Sequence, residues 1–329
     1  MPVHFDADAD PSLARQRRVA IVGYGNQGRA QALNLRDSGV ERIVIALPQD
    51  SRTRARAQED GFPVAAAAEA AAGADLLMML APDEDQAAIY RAAVAPNLER
   101  GAALGFSHGL NIHFGMIEPR ADLDVFLVAP KGPGSALRAD YLAGEGMIAL
   151  IAVAQDASGG AMALALSYGA ALGCGRAGMI ETSFGQESEA DLFNEQGVLW
   201  GAVPELIHAG FETLVEAGYA PEIAYFECLT ELKLLADLID ARGIAGMREA
   251  ISNTAEFGAV QGSGRIVTEE TRAEMRRILA EVRDGSFVKA LIADARAGYP
   301  KLKSARERAK AHPIEEIGET LRALRRNSS

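Results

Sequence analysis

Apolar residues change their spacing once along the chain, and the change divides it. Up to about residue 182 they come in short runs: 18–22 (RVAIV), 42–47 (RIVIAL), 75–80 (DLLMML), 102–106, 124–129 (DVFLVA) and 147–153 (MIALIAV). Helical stretches lie between them, including 26–38 and the alanine-rich 65–72; alanine is the best helix former. Short β-rich runs alternating with helices predict βαβ units and a parallel sheet with helices on both faces. Beyond residue 190 no run reads as a strand. Apolar residues recur instead at helical spacing, as at Leu206, Ile207, Phe211, Leu214 and Val215. We therefore expect an α/β domain over residues 1–183 and an all-helical domain over 184–329.

Composition narrows the functional classes. The 329 residues are 49% hydrophobic and 24% charged, which excludes disorder as the dominant state. Lys plus Arg number 33 against 45 Asp plus Glu, a net charge of −12. Such a chain is poorly suited to neutralising phosphates or an anionic membrane surface, so neither nucleic acid nor membrane is an expected partner. No stretch reaches the roughly 20 apolar residues of a membrane span. Residues 1–11 are polar and acidic and read as a short arm, not as a secretory signal or transit peptide. The two cysteines, Cys174 and Cys228, read as reduced thiols of a cytoplasmic protein. The charged tail, 306–329, reads as a solvated helix.

Gly23-Tyr24-Gly25-Asn26-Gln27-Gly28 fits G-x-G-x-x-G between a predicted strand and a predicted helix. The first glycine permits a tight turn, the second lets backbone approach a pyrophosphate, and the third lets helix and strand pack closely. Free N–H groups at the helix start then face the anion. In this context the motif predicts a Rossmann-type dinucleotide domain. Past the second strand, Ser51, Arg52, Thr53 and Arg54 offer donors to a ribose 2′-phosphate, whereas Asp50 suits a free 2′-hydroxyl.

Two acidic pairs stand in the second half. Asp191 and Glu195, and Glu227 and Glu231, are each four residues apart, on one helix face. Such carboxylates repel unless a cation or partner charge intervenes. Oxygen-only ligands favour a hard ion such as Mg²⁺, though most such pairs are solvated faces. Their apolar neighbours argue against free exposure. His108 and Lys131 follow predicted strands, where open α/β sheets place ligands; a hydrogen-bonded structural histidine is the plainer reading of His108. Ser252 opens a polar cluster and fits a helix cap as well as a ligand.

Together these residues resemble the ketol-acid reductoisomerases (acetohydroxyacid isomeroreductases), in the short class I form. The resemblance runs nearly the whole length. It rests on the glycine loop, SHGLNIHFG at 107–115, VAPKGPG at 128–134, DLFNEQ at 191–196, GFETLVEAGY at 210–219, YFE at 225–227, ELK at 231–233 and ISNTAE at 251–256. Several long motifs in one order are specific.

The resemblance implies alkyl migration in 2-acetolactate or 2-aceto-2-hydroxybutyrate, then reduction by NADPH, or possible NADH, to a 2,3-dihydroxy acid. This is a step of valine, isoleucine and leucine biosynthesis. It implies two Mg²⁺ ions, with Asp191 bridging both, Glu195 on one, and Glu227 and Glu231 reaching the second from a partner subunit. His108 and Lys131 are then catalytic and Ser252 holds the substrate carboxylate. Cofactor contacts fall on Gly23, Tyr24, Gly25, Asn26, Gln27, Gly28, Ser51, Thr53, Asp83, Glu84, Asp85, Gln86 and Gly134. The helical domain is expected to be knotted and interleaved in a homodimer, which can assemble further. Relatives often carry Arg at Pro48 and Gly at Asp50, so the 2′-phosphate contact is weakened here. The competing readings are a plain NAD(P)-dependent dehydrogenase of a β-hydroxy acid or imine, and a non-catalytic cofactor-binding paralogue.

Overall fold

The computed structural model describes residues 1–326; of the charged tail expected to be helical, residues 327–329 lie outside the described residues. The chain forms two compact units, Met1–Ala190 and a second beginning at Asp191. The expected boundary at 183/184 coincides with the start of a helix, Phe184–Asn194, and the units part within that helix.

The first unit is built on nine strands: β1 (Val3–His4), β2 (Arg18–Val22), β3 (Arg42–Ala46), β4 (Val64–Ala65), β5 (Leu76–Met79), β6 (Ala103–Phe106), β7 (Asp124–Pro130), β8 (Ala149–Gln155) and β9 (Met179–Glu181). They form one sheet in the order β1-β9-β8-β7-β6-β5-β2-β3-β4. Strands β2 to β7 pair in parallel. The expectation of a parallel sheet fails at β7/β8, which are antiparallel, and at β1/β9. Apolar runs buried on both faces carry no mark of direction; connection length and chirality set it. The polar arm read at residues 1–11 adds β1 to the sheet edge, with His4 Nε2 within 2.5 Å of Glu181 Oε1.

Helices of this unit are α1 (Pro11–Arg15), α2 (Asn26–Asp37), α3 (Arg54–Glu59), α4 (Ala67–Ala72), α5 (Asp83–Ile89), α6 (Leu110–His113), α7 (Gly134–Ala143), α8 (Ala161–Ala171) and α9 (Phe184–Asn194), the last continuing into the second unit. Strand alternation divides the core into two layers. Val19, Ile21, Phe126 and Val128 pack with Tyr168 on one face. Ala20, Val22, Leu77, Leu127 and Phe106 pack with Phe184 on the other. Each fully buried Leu, Ile or Phe contributes about 1.5–3 kcal/mol of transfer free energy.

The second unit is helical: α10 (Ala202–Glu216), α11 (Pro221–Tyr225), α12 (Leu232–Glu249), α13 (Asn253–Ile266), α14 (Glu269–Arg283), α15 (Ser286–Arg296), α16 (Pro300–Ala311) and α17 (Pro313–Arg326). Phe211, Ala224, Tyr225 and Ile314 form its small core. Helices α12 and α13 bury no residue in the single chain, and Leu234, Ile244, Phe257, Val260 and Ile266 are exposed. Among the described residues no helix is long and apolar enough to cross a membrane.

Candidate active site

Strand order reverses between β2 and β5, and the glycine loop leaves β2 at that point. Open α/β sheets bind ligands in the crevice so formed. Each glycine has its own physical reason. Gly23 has φ +104°, and a Cβ there would lie 2.5 Å from the Leu80 carbonyl oxygen. A Cβ on Gly28 would lie 2.3 Å from the Gly23 carbonyl oxygen. A Cβ on Gly25 would meet nothing within 4 Å. Gly25 is therefore not demanded by the fold itself; its bareness leaves an open cradle at the start of α2, which fits a pyrophosphate against backbone N–H groups.

The loop's side chains bond to protein groups. Tyr24 is buried in edge contact with Phe62, and its hydroxyl donates to Asp60 (2.8 Å), which also accepts a bidentate bond from Arg29. Asn26 Oδ1 accepts from Ser135 N–H (2.9 Å), and Gln27 Nε2 donates to the Gly132 carbonyl (2.8 Å). Gly134 is required because a Cβ would lie 2.2 Å from the Asn26 carbonyl oxygen. The side chains expected to contact the cofactor at these positions are thus bonded to protein groups. A cavity of about 490 Å³ opens beside the loop, lined among others by Gly25, Arg29, Thr53, Arg56 and Arg138.

Past β3, the Ser51 and Thr53 hydroxyls lie 3.1 Å apart. Arg54 donates to the Val64 carbonyl (3.4 Å), whereas Arg52 and Asp50 are exposed. Asp83, Glu84 and Asp85 form the first turn of α5. Gln86 is buried and donates to Ala81 and Asp83, so its amide serves the fold.

His108 and Lys131 follow the carboxyl ends of β6 and β7 and converge on a residue that the sequence reading missed. Glu187, on α9, is 1% exposed. Its carboxylate lies 3.1 Å from His108 Nδ1 and 3.4 Å from Lys131 Nζ, and accepts from Gly109 N–H at 2.7 Å. Burial pushes this carboxyl up. The His108 hydrogen bond, the charges of His108 and Lys131 and the Gly109 N–H outweigh that push and hold it below its ordinary value. An ionised carboxylate is acceptor-only, so His108 Nδ1 carries the proton shared with Glu187. Gly109 admits this contact: a Cβ there would lie 2.4 Å from the Phe184 carbonyl oxygen. A signal was present in sequence, since Glu187 stands four residues before Asp191, on the same helix face.

Asp191 and Glu195 lie at the end of α9 and the start of a π-turn, Glu195–Leu199, in which Trp200 N–H reaches the Glu195 carbonyl at 3.1 Å. Glu227 lies in a second π-turn, Phe226–Thr230, closed by Glu231 N–H on the Phe226 carbonyl at 3.4 Å. Such i→i+5 turns are enriched at functional sites. Contrary to the expectation from their apolar neighbours, Glu227 and Glu231 are exposed; those neighbours point elsewhere or are exposed too, as Phe226 is. Among the described residues no ion pair reaches Glu227 or Glu231, and Lys233 pairs with Asp237 (2.6 Å) instead. Two exposed carboxylates four residues apart, with oxygen-only donors and no compensating cation, fit a hard divalent ion. Ser252 caps α13, its hydroxyl accepting from Ala255 N–H at 3.2 Å.

Comparison with known proteins agrees with this geometry. The family described as "Acetohydroxy acid isomeroreductase, NADPH-binding domain" matches residues 13–178, and "Ketol-acid reductoisomerase, C-terminal domain" matches residues 184–327. A solved NADH-preferring ketol-acid reductoisomerase from an uncultured archean is 43% identical over 98% of this chain and 99% of its own, with a TM-score of 0.95. Pyrroline-5-carboxylate reductase from Coxiella burnetii is 13% identical over 82% of this chain and 98% of its own, with a TM-score of 0.57, and shares the fold alone. The glycine-loop crevice, the convergence of His108 and Lys131 on Glu187, and these matches over both domains together establish that the chain belongs to the ketol-acid reductoisomerase family of oxidoreductases.

Proposed function

We propose that this enzyme isomerises 2-acetolactate or 2-aceto-2-hydroxybutyrate in a Mg²⁺-dependent step and reduces the product with NADPH, in cytoplasmic branched-chain amino-acid biosynthesis. The observation that carries this reading is the meeting of His108 and Lys131 on the buried Glu187 carboxylate, one helical turn before Asp191. Asp191 and Glu195 of one subunit, with Glu227 and Glu231 of a partner, would hold two Mg²⁺ ions. Bound there, the ions supply Lewis-acid stabilisation of negative oxygen. The nicotinamide supplies hydride.

The chain's own groups do the rest. Glu187 fixes the His108 ring through Nδ1, and the ring so held can hold or pass a proton. Lys131 brings an ammonium donor to the same carboxylate, where it can protonate an oxygen formed on reduction. Ser252 would donate to the substrate carboxylate, since its cap bond uses only the oxygen as acceptor. Ser51, Thr53 and Arg52 supply donors to a 2′-phosphate, and we read them as favouring NADPH against the opposing charge of Asp50. The apolar side chains of α12 and α13, which have no cover in one chain, support a homodimer.

The test is oxidation of NADPH with 2-acetolactate, with and without Mg²⁺, followed by the same assay with NADH. Turnover that needs the metal and has the higher kcat/KM with NADPH is expected. Metal-independent turnover would identify a plain dehydrogenase, and a higher kcat/KM with NADH would reverse the cofactor preference.

A further inference from the structure

Between the glycine loop and the two catalytic turns runs a chain of hydrogen bonds, and one buried amide is its hub. Gln31 lies on α2, five residues past its first position, and is 0% exposed. Its Oε1 accepts from the Tyr168 hydroxyl at 2.7 Å. Its Nε2 donates to Ser107 Oγ at 2.9 Å and to Gln27 Oε1 at 3.1 Å. Ser107, the residue before His108, passes the chain on by donating to the Val128 carbonyl at 2.8 Å. Gln27 donates to the carbonyl of Gly132, the residue after Lys131, at 2.8 Å. Both N–H donors and the carbonyl of Gln31 are matched, and a primary amide supplies one acceptor and two donors on this stem. Burial keeps Tyr168 in its neutral, donating form.

We propose that Gln31 is a positioning residue for the reduction step: it fixes the turns bearing His108 and Lys131 against the helix that opens the dinucleotide loop. The inference rests on reading His108 and Lys131 as catalytic groups. It adds that their placement is referred to α2, so that the same helix sets both the cofactor crevice and the groups acting beside it. Misplacement of reacting groups by a fraction of a bond length lowers turnover without touching affinity.

The test uses the full-length enzyme, with the already isomerised 2-keto acid and NADPH. Gln31→Met keeps the side-chain volume and removes every bond. Its kcat should fall roughly tenfold, while the NADPH dissociation constant, read from cofactor fluorescence, stays within about twofold. Gln31→Glu retains one donor only while its carboxyl is protonated, so its kcat should fall as pH rises through that titration, a limb absent from the parent enzyme. Asn34→Leu is the control. Asn34 is equally buried on α2, but it bonds the Leu172 carbonyl (2.9 Å) and Arg138 (2.8 Å), away from both turns. That variant should lose thermal stability without a new pH limb. If Gln31→Met does not fold, Ser107→Ala cuts one arm of the chain and should still lower kcat severalfold. Folded Gln31→Met or Ser107→Ala with kcat within twofold, a loss confined to NADPH affinity, or a Gln31→Glu profile parallel to the parent overturns the proposal. His108→Ala separates the two readings: unimpaired reduction there defeats the catalytic assignment itself, whereas impaired reduction beside fully active Gln31 variants defeats only the positioning.

Discussion

At the scale of single residues, the glycine loop separates fold from function. Gly28→Ala must push a methyl group into the Gly23 carbonyl, so we expect a loss of about 1–3 kcal/mol in chemical denaturation. Gly25→Ala meets open space and should leave stability within about 0.5 kcal/mol while weakening dinucleotide binding, as titration calorimetry would show. Glu187→Gln should cost about 2 kcal/mol, because charge-assisted bonds to His108, Lys131 and Gly109 become neutral ones. The sign with pH is set by the depressed folded-state value. The contribution of Glu187 is complete above its ordinary value of 4.5 and is lost as pH falls below it. Stability measured down an acid series should therefore fall less steeply in Glu187→Gln than in the parent. Equal slopes would show that the carboxylate is not held ionised by its neighbours.

At the scale of elements, the six apolar runs and the glycine loop were legible because strand and helix periods leave a local mark. The strand runs of the sequence reading overlap the observed β2, β3, β5, β6, β7 and β8 within a few residues. The reversal at β7/β8 was not legible, since a strand buried on both sides reads alike in either direction. Beyond its spacing from Asp191, Glu187 carries no local mark of its own, because its partners His108, Gly109 and Lys131 lie far off in sequence. The π-turns were invisible as well: an added residue in a turn changes hydrogen bonding, not composition. They have a measurable consequence. Deleting one residue from Phe226–Thr230, for instance Cys228, should restore α-helical bonding and bring Glu227 and Glu231 from four residues apart to three, changing the angle between their carboxylates. We expect weaker Mg²⁺ binding by calorimetry and loss of isomerisation, with reduction of the isomerised 2-keto acid less affected. Unchanged Mg²⁺ affinity would count against the ligand assignment.

At the scale of the whole molecule, the second unit carries several large apolar side chains outward. Leu234, Ile244, Phe257 and Ile266 are each at least 60% exposed, on helices with no buried residue. Such a surface is stable in water only when covered. We expect sedimentation to give a dimer or a multiple of it. Leu234→Glu with Phe257→Glu should yield monomer that still binds NADPH, because the glycine loop and its neighbours lie wholly within Met1–Ala190. A monomeric parent protein would remove the argument for shared acidic pairs.

The two-residue strand at Val3–His4 has a practical bearing on how the protein is handled. It occupies the hydrogen-bonding rim of β9, which would otherwise present bare amide and carbonyl groups to solution. Trimming the chain to begin at Pro11, a tempting choice for crystallisation, would open that rim and invite sheet-to-sheet adhesion between molecules. The resulting aggregates would grow with concentration irrespective of the helical unit, and a chain that keeps Val3 and His4 should be free of them.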